Sequence, residues 1–208
     1  MQKTSLIPSE YQQVEYIQAT GTQYIIVDSS ETQSWFYDVT AEITFPVATT
    51  YNMMFGHSLW SDATAWCLYW DSSKVTVRRR NGTGTTYDAQ TTKANIEGIK
   101  CRFILNDSMA SIINADTNTT IVNNTLDASS LNRYNCPVRI FKGFSNNTGF
   151  EKNVAAKLYS FKVYTRNNVL TYDCIPCYRK SDNATGVYDT VHKTFFGNNG
   201  TGEFVIPT

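Results

Sequence analysis

Charge is scarce in this chain and favours neither sign. Only 17% of the 208 residues are Asp, Glu, Lys or Arg, and 18 basic side chains balance 18 acidic ones. Without a surplus of Lys and Arg the chain cannot neutralise many phosphates, which argues against nucleic acid as its main partner. A hydrophobic content of 41% argues equally against a disordered acidic chain. No apolar run reaches the ~18–20 residues of a membrane span, so no membrane insertion is expected. Residues 1–8 lack the apolar stretch of a secretory leader. The strong helix formers Ala, Leu, Glu and Lys are thin, which leaves little material for long helices.

Cysteine is present in an odd number: Cys67, Cys101, Cys136, Cys174 and Cys177. Five thiols cannot all pair within one chain, and their spacing fits no compact disulfide framework. Cys174-Ile175-Pro176-Cys177 is the sole C-x-x-C. A zinc ribbon needs two such knuckles, and a thioredoxin-type motif needs a following helix. The flanks read as strand, so the expected role of these thiols is that of small buried hydrophobes.

What fills the composition is Thr, Asn, Ser and ring residues, with 13 Tyr, 11 Phe and 4 Trp. Thr and Tyr suit pleated strands, while Asn and Gly suit turns. Along 35–45, Trp35, Tyr37, Val39, Ala41, Ile43 and Phe45 alternate with Asp38, Thr40, Glu42 and Thr44. That pattern predicts a long strand with one wet face, ended by Pro46. Further strands are predicted over 53–60, 65–70 and 74–80, where Val75, Val77 and Arg79 oppose Thr76, Arg78 and Arg80. Others follow over 99–105, 109–114, 138–144 and 157–165, with Tyr159, Phe161 and Val163 on one face of the last. The remaining predicted strands cover 169–178 and 203–206. Asn81-Gly82-Thr83-Gly84 signals a hairpin. Strands recurring every eight to twelve residues predict an all-β, two-sheet sandwich or barrel. No linker divides the chain, so 11–208 is expected to form a single domain, preceded by an arm over 1–10 that could dock to a partner.

Two stretches carry a family resemblance. The first runs Ile7-Pro8-Ser9-Glu10-Tyr11-Gln12-Gln13-Val14-Glu15-Tyr16-Ile17 and continues at Gly21-Thr22-Gln23-Tyr24-Ile25. The second runs Lys157-Leu158-Tyr159-Ser160-Phe161-Lys162-Val163-Tyr164 and continues at Ile175-Pro176-Cys177-Tyr178-Arg179-Lys180-Ser181-Asp182-Asn183, Gly186-Val187-Tyr188-Asp189 and Gly200-Thr201-Gly202. Together they resemble concanavalin A-like (laminin G-like) modules found in phage virion proteins and surface proteins of gut bacteria. The resemblance implies an antiparallel jelly-roll sandwich whose face or loop rim often holds carbohydrate. It implies no activity, since such folds carry lectins, glycosidases, lyases and structural subunits.

Candidate chemistry was weighed against that fold. Glycosidases need two carboxylates about 5–5.5 or 6.5–9.5 Å apart. The closest candidates, Asp38 and Glu42, would stand roughly 13–14 Å apart along one strand. A jelly-roll lyase would need a His and Tyr pair, but the two histidines, His57 and His192, lie in a packed strand and a turn. No nucleophile-elbow motif occurs. The chain is therefore expected not to be an enzyme. Sugar binding needs only a ring to stack on a pyranose and a few polar groups. The candidate residues are His57, Trp60, Trp66, Tyr69, Trp70, Arg78 and Arg80, with an exposed Trp at the 61–64 turn as platform. No cofactor is expected. Calcium is conceivable at the loop carboxylates Asp62, Asp71, Asp116, Asp182 and Asp189, although no EF-hand-like spacing exists.

The sequence reading is thus a lectin-like module of a phage particle, made in the bacterial cytoplasm and assembled into a capsid or tail. Its expected partners are other virion proteins and cell-surface or mucosal glycans, met through oligomeric or multivalent display. A purely structural virion subunit is the alternative, with a carbohydrate-active enzyme behind it.

Overall fold

The computed structural model describes residues 6–28, 36–45, 52–59, 64–80, 86–106, 108–125, 136–145, 154–165 and 167–207. Trp35, Pro46, Trp60, Asp62, the 81–84 hairpin turn and residues 1–5 of the expected arm lie outside them. The described residues form strands with no α-helix, apart from one 3-10 turn at Lys93–Asn95.

The chain begins with three short strands, β1 (Tyr11–Gln13), β2 (Ile17–Thr20) and β3 (Ile25–Asp28), followed by the eight-residue β4 (Phe36–Ile43). A meander follows: β5 (Asn52–Leu59), β6 (Thr64–Trp70), β7 (Lys74–Arg80) and β8 (Thr86–Thr92). Next come β9 (Lys100–Leu105), β10 (Met109–Asn114), β11 (Thr119–Thr125), β12 (Val138–Ile140) and β13 (Phe144–Ser145). The chain ends with β14 (Ala155–Tyr164), β15 (Leu170–Arg179), β16 (Thr185–Asp189) and β17 (Thr194–Gly197).

A large sheet has the order β11-β10-β9-β4-β14-β15-β16-β17, with β1 beside β15 and β2 beside β14. A five-stranded sheet has the order β13-β5-β6-β7-β8, and β12 pairs with β3. The pairings are antiparallel except for β13 with β5. The sandwich-like, nearly all-β architecture expected from the alternation is what the structure has.

Alternation places Tyr37, Val39, Ala41 and Ile43 on the inner face of β4, all 4% exposed or less. Their partners across the sandwich are the inner residues of the small sheet, among them Phe55, Trp66, Leu68, Trp70, Val75 and Val77. Ring contacts join the layers: Tyr37 to Phe55 at 4.9 Å, Phe55 to Phe161 at 6.2 Å and Phe36 to Trp66 at 6.3 Å. Each fully buried apolar side chain of this size contributes about 1.5–3 kcal/mol.

Gly56 is where β5 and β6 come closest. It adopts φ +85°, and a Cβ there would stand 2.0 Å from the Trp66 carbonyl oxygen. Pro176 sits within β15 without breaking the sheet. The neighbour on one side is β14 up to Cys174 and β1 from Cys177, so the missing N–H falls in the gap between two partners.

The two ends of the chain are clasped together. Asn199 Oδ1 accepts from the Ile26 amide at 2.8 Å, Thr22 Oγ1 donates to the Thr201 carbonyl at 2.8 Å, and Gln23 Nε2 donates to the Glu203 carbonyl at 2.9 Å. The strand predicted over 203–206 is instead a single bridge, Gln18 to Val205, which exchanges hydrogen bonds of 2.7 and 3.0 Å. The arm predicted over 1–10 is held from Ile7 onward. Ile7 packs on Cys177 and Tyr188, and Lys180 Nζ donates to the Ser9 carbonyl at 2.7 Å.

Phe55→Ala is expected to lower unfolding stability by about 3–5 kcal/mol in urea titrations. Thr40→Ala, on the outer face of the same sandwich, is expected to change it by no more than about 0.5 kcal/mol. Equal losses at the two positions would contradict the assigned faces.

Candidate functional site

The residues singled out from sequence divide between two faces of the small sheet. Trp66 and Trp70 share the inner face of β6 with Leu68 and are 3% and 0% exposed. They are core residues, which corrects the expected surface platform for these two rings. His57 pairs with Trp66 across β5 and β6 and is also buried. Burial alone pushes its imidazole pKa from 6.5 down to about 4.

Tyr69 and Arg78 occupy the outward face. Arg78 lies over the Tyr69 ring at 4.8 Å and grips Asp88 through two hydrogen bonds, Nε to Oδ1 at 2.9 Å and Nη2 to Oδ2 at 2.6 Å. Arg80 follows on the same strand face, opposite Ala65 and Thr86, and is half-buried. Tyr69 is only 6% exposed, because this face carries a second apolar cluster with Met53, Ala65 and Cys67. The structure therefore unites Tyr69 with Arg78 but leaves no open ring there.

All five cysteines are buried free thiols. Burial raises Cys67, Cys101 and Cys177 to about 12, removing them from thiolate chemistry near neutral pH. Three of the loop carboxylates have other partners: Asp71 accepts from the Ser73 and Lys74 amides, Asp182 pairs with Arg179, and Asp189 accepts from the His192 amide. Among the described residues, no three His, Cys, Asp or Glu side chains converge to hold a metal.

Two partly exposed rings, Tyr16 and Tyr159, lie together on the outward face of the large sheet. Lys157, Glu42 and Lys100 form a row across β14, β4 and β9. Tyr16 and Tyr159 flank that row with ring centroids 5.6 Å apart, edge to face. Lys100 Nζ lies 4.0 Å from the Tyr159 centroid and Lys157 Nζ 5.1 Å from that of Tyr16. Glu42 ties the group together, accepting from Lys157 Nζ at 2.9 Å and from the Tyr159 hydroxyl at 3.1 Å. Partial burial first, and the Glu42 charge second, hold the Tyr159 hydroxyl well above its usual pKa, so it stays protonated and donates.

A bulge creates this site. The β14 to β4 register slips between Leu158 and Ser160, so Tyr159 has no β4 partner and turns outward beside Ser160. The alternation that predicted Tyr159 on the same face as Phe161 and Val163 is broken at that point, and Leu158 takes the inner position. One step along the sheet, Arg102 grips Asp38 through Nε to Oδ1 at 2.8 Å and Nη2 to Oδ2 at 2.5 Å. Asp38 and Glu42 are thus each committed to a cation. Surface cation–π contacts contribute only about 0.5–1 kcal/mol each. A ligand with apolar C–H faces and hydroxyls could displace the two lysines from the rings at small cost and reuse their ammonium groups as donors.

No family model matches the chain, and no curated protein matches it. Two solved structures similar to it are crystal structures of scytalido-glutamic peptidase, one with a peptide-based transition state analog and one with a transition state analog inhibitor. Both are 13% identical and cover 79% of this chain and 98% of theirs, with TM-scores of 0.32 and 0.28. These neighbours are enzymes, so the expectation that the chain is not an enzyme is withdrawn. Likeness at that level assigns no peptidase chemistry to this chain.

The buried His57 makes stability depend on pH. The unfolded chain takes up a proton near 6.5 and the folded chain only near 4, so the unfolded state binds more protons in between. Stability attached to this group is complete above the higher value and falls as pH drops through the window, by roughly 3 kcal/mol in all. His57→Gln should lose less stability than wild type between about pH 7 and about pH 4.5 in urea titrations. Parallel losses in both proteins would contradict the buried neutral imidazole.

Proposed function

We propose that this chain is a lectin-like module of a phage particle that adheres weakly to glycans through the outward face of its large sheet. The observation that carries the reading is the pair of partly exposed rings, Tyr16 and Tyr159, set around Lys157, Glu42 and Lys100. Rings for pyranose faces, and donors and acceptors for hydroxyls, are what saccharide recognition needs. The face has balanced charge, with Lys100 and Lys157 against Glu42 and Glu15, which suits a neutral glycan better than a strongly ionic one.

The finer fold belongs to the same proposal: a jelly roll of the concanavalin A-like type. Its support is the resemblance of the two terminal stretches, which also supports the particle context and the virion partners. Those stretches meet in space, since the 21–25 segment is bonded to the 197–203 loop. A single site of this openness suits millimolar affinity, about −4 kcal/mol. Display of many copies would raise avidity by about 10²–10⁴.

A multivalent form of the protein on a glycan array tests the reading. Wild type is expected to retain at least one glycan class. Tyr159→Ala, a substitution at a partly exposed bulge, should weaken that signal about tenfold or more at unchanged fold stability. A wild-type array silent at every glycan would favour a purely structural subunit.

A further inference from the structure

The clasp between the chain ends adjoins a pocket at the sheet edge, whose lining residues are distinct from those of the Tyr16 and Tyr159 face. Its volume is about 410 Å³, within the range of about 300–1,000 Å³ typical of small-molecule sites. Arg179, Thr185, Asn198 and Glu203 contribute polar groups to its lining, with Ala184 and Phe195 among the remaining walls.

Two of the polar groups, Arg179 and Asn198, are held by hydrogen bonds within the chain. The Arg179 guanidinium is bound to Asp182 by Nε to Oδ1 at 3.0 Å and Nη2 to Oδ2 at 2.6 Å, and it lies over Phe195 at 5.3 Å. Tyr11 stacks on Phe195 at 5.4 Å, and both rings join the cluster around Tyr188 and Cys177. The guanidinium therefore ends a packed column, with Nη1 uncommitted to Asp182. That pairing holds the Asp182 carboxyl down at about 2. The Asn198 carboxamide is locked: Nδ2 donates to the Gly202 carbonyl at 2.7 Å, and Oδ1 accepts from the Gly200 amide at 2.8 Å. Gly200 makes this close passage possible, since a Cβ there would stand 2.1 Å from the Thr22 carbonyl oxygen. The Glu203 backbone is pinned by Gln23, while its carboxylate has no hydrogen bond or ion pair among the described residues.

We infer that this pocket is a second ligand site, one that takes a single neutral sugar residue by its vicinal hydroxyls. The lining supplies a held donor, Arg179, a hydroxyl of either sense, Thr185, and a carboxylate acceptor, Glu203. A pair of adjacent hydroxyls satisfies donor and acceptor together. With Asp182 cancelling Arg179, Glu203 leaves the pocket one negative charge, which disfavours anionic ligands. A lone ammonium could pair with Glu203 but would offer the Arg179 donor no acceptor. The inference is argued from the pocket's own groups and goes beyond the sheet-face reading, which stands or falls separately.

The test is amide chemical-shift mapping with free galactose, glucose, mannose and N-acetylglucosamine, each added at tens of millimolar to the full chain. At least one of them is expected to shift the amides of Ala184, Thr185, Asn198 and Glu203. Glu203→Gln, at an exposed side chain, should weaken that response about tenfold, and Ala184→Phe, which fills the pocket, should abolish it. No shift from any of the four sugars, or shifts that survive Ala184→Phe, would overturn the pocket assignment. Such a failure is distinguishable from failure of the adhesion reading, because array binding that depends on Tyr159 would persist in Ala184→Phe.

Discussion

Interleaving of aromatic and aliphatic side chains between two β-layers is the constraint on which the remaining structure depends. With charge so sparse, burial must supply most of the stability, and alternation decides which side chains are buried. Tyr37, Phe55 and Phe161 meet across the layers and set their spacing. Once those rings are committed to the interior, the outward positions of β4 and β14 become available for polar contact. The ion pairs of β4 with its neighbours, Asp38 with Arg102 and Glu42 with Lys157, are the direct complement of its buried face.

The clasp between the chain ends is the second organising feature. It has a thermodynamic consequence, because joining segments nearly the whole chain apart carries a loop-closure entropy cost that its hydrogen bonds must offset. Asn198, Asn199, Thr22 and Gln23 supply side-chain bonds where regular strand pairing gives out. Asx and amide groups are suited to this, since they satisfy backbone donors without requiring a ladder. The same bonds hold the Asn198 side chain and the Glu203 backbone beside the pocket, so local scaffold and local recognition chemistry have a common origin.

Much of this was legible in the sequence. The alternation over β4, β7 and β9 identified both the strands and their buried residues, and Arg79 falls on the inner face with Val75 and Val77 as its spacing required. Trp66 and Trp70 were misplaced although the signal was present: they share strand parity with Leu68. The opposite residues Ala65, Cys67 and Tyr69 are apolar too, so neither face of β6 had to be wet. β11 was missed because Thr119–Thr125 is nearly all polar and has no alternation to read. Tyr159 was hidden by the bulge, a register slip that depends on its β4 partner and cannot be seen in β14 alone. Its proximity to Tyr16 depends on the pairing of β2 with β14, a contact across most of the chain.

The central claim is that the outward rings of the large sheet, and not the tryptophans of the small one, meet the glycan. A crystal structure of the chain soaked with an oligosaccharide retained on the array tests this most directly. The account requires a pyranose ring on Tyr16 or Tyr159, with hydroxyls bonded to Lys100, Lys157 or Glu42. A saccharide seated instead against the small sheet, with Trp66 or Trp70 swung outward to receive it, would contradict the account.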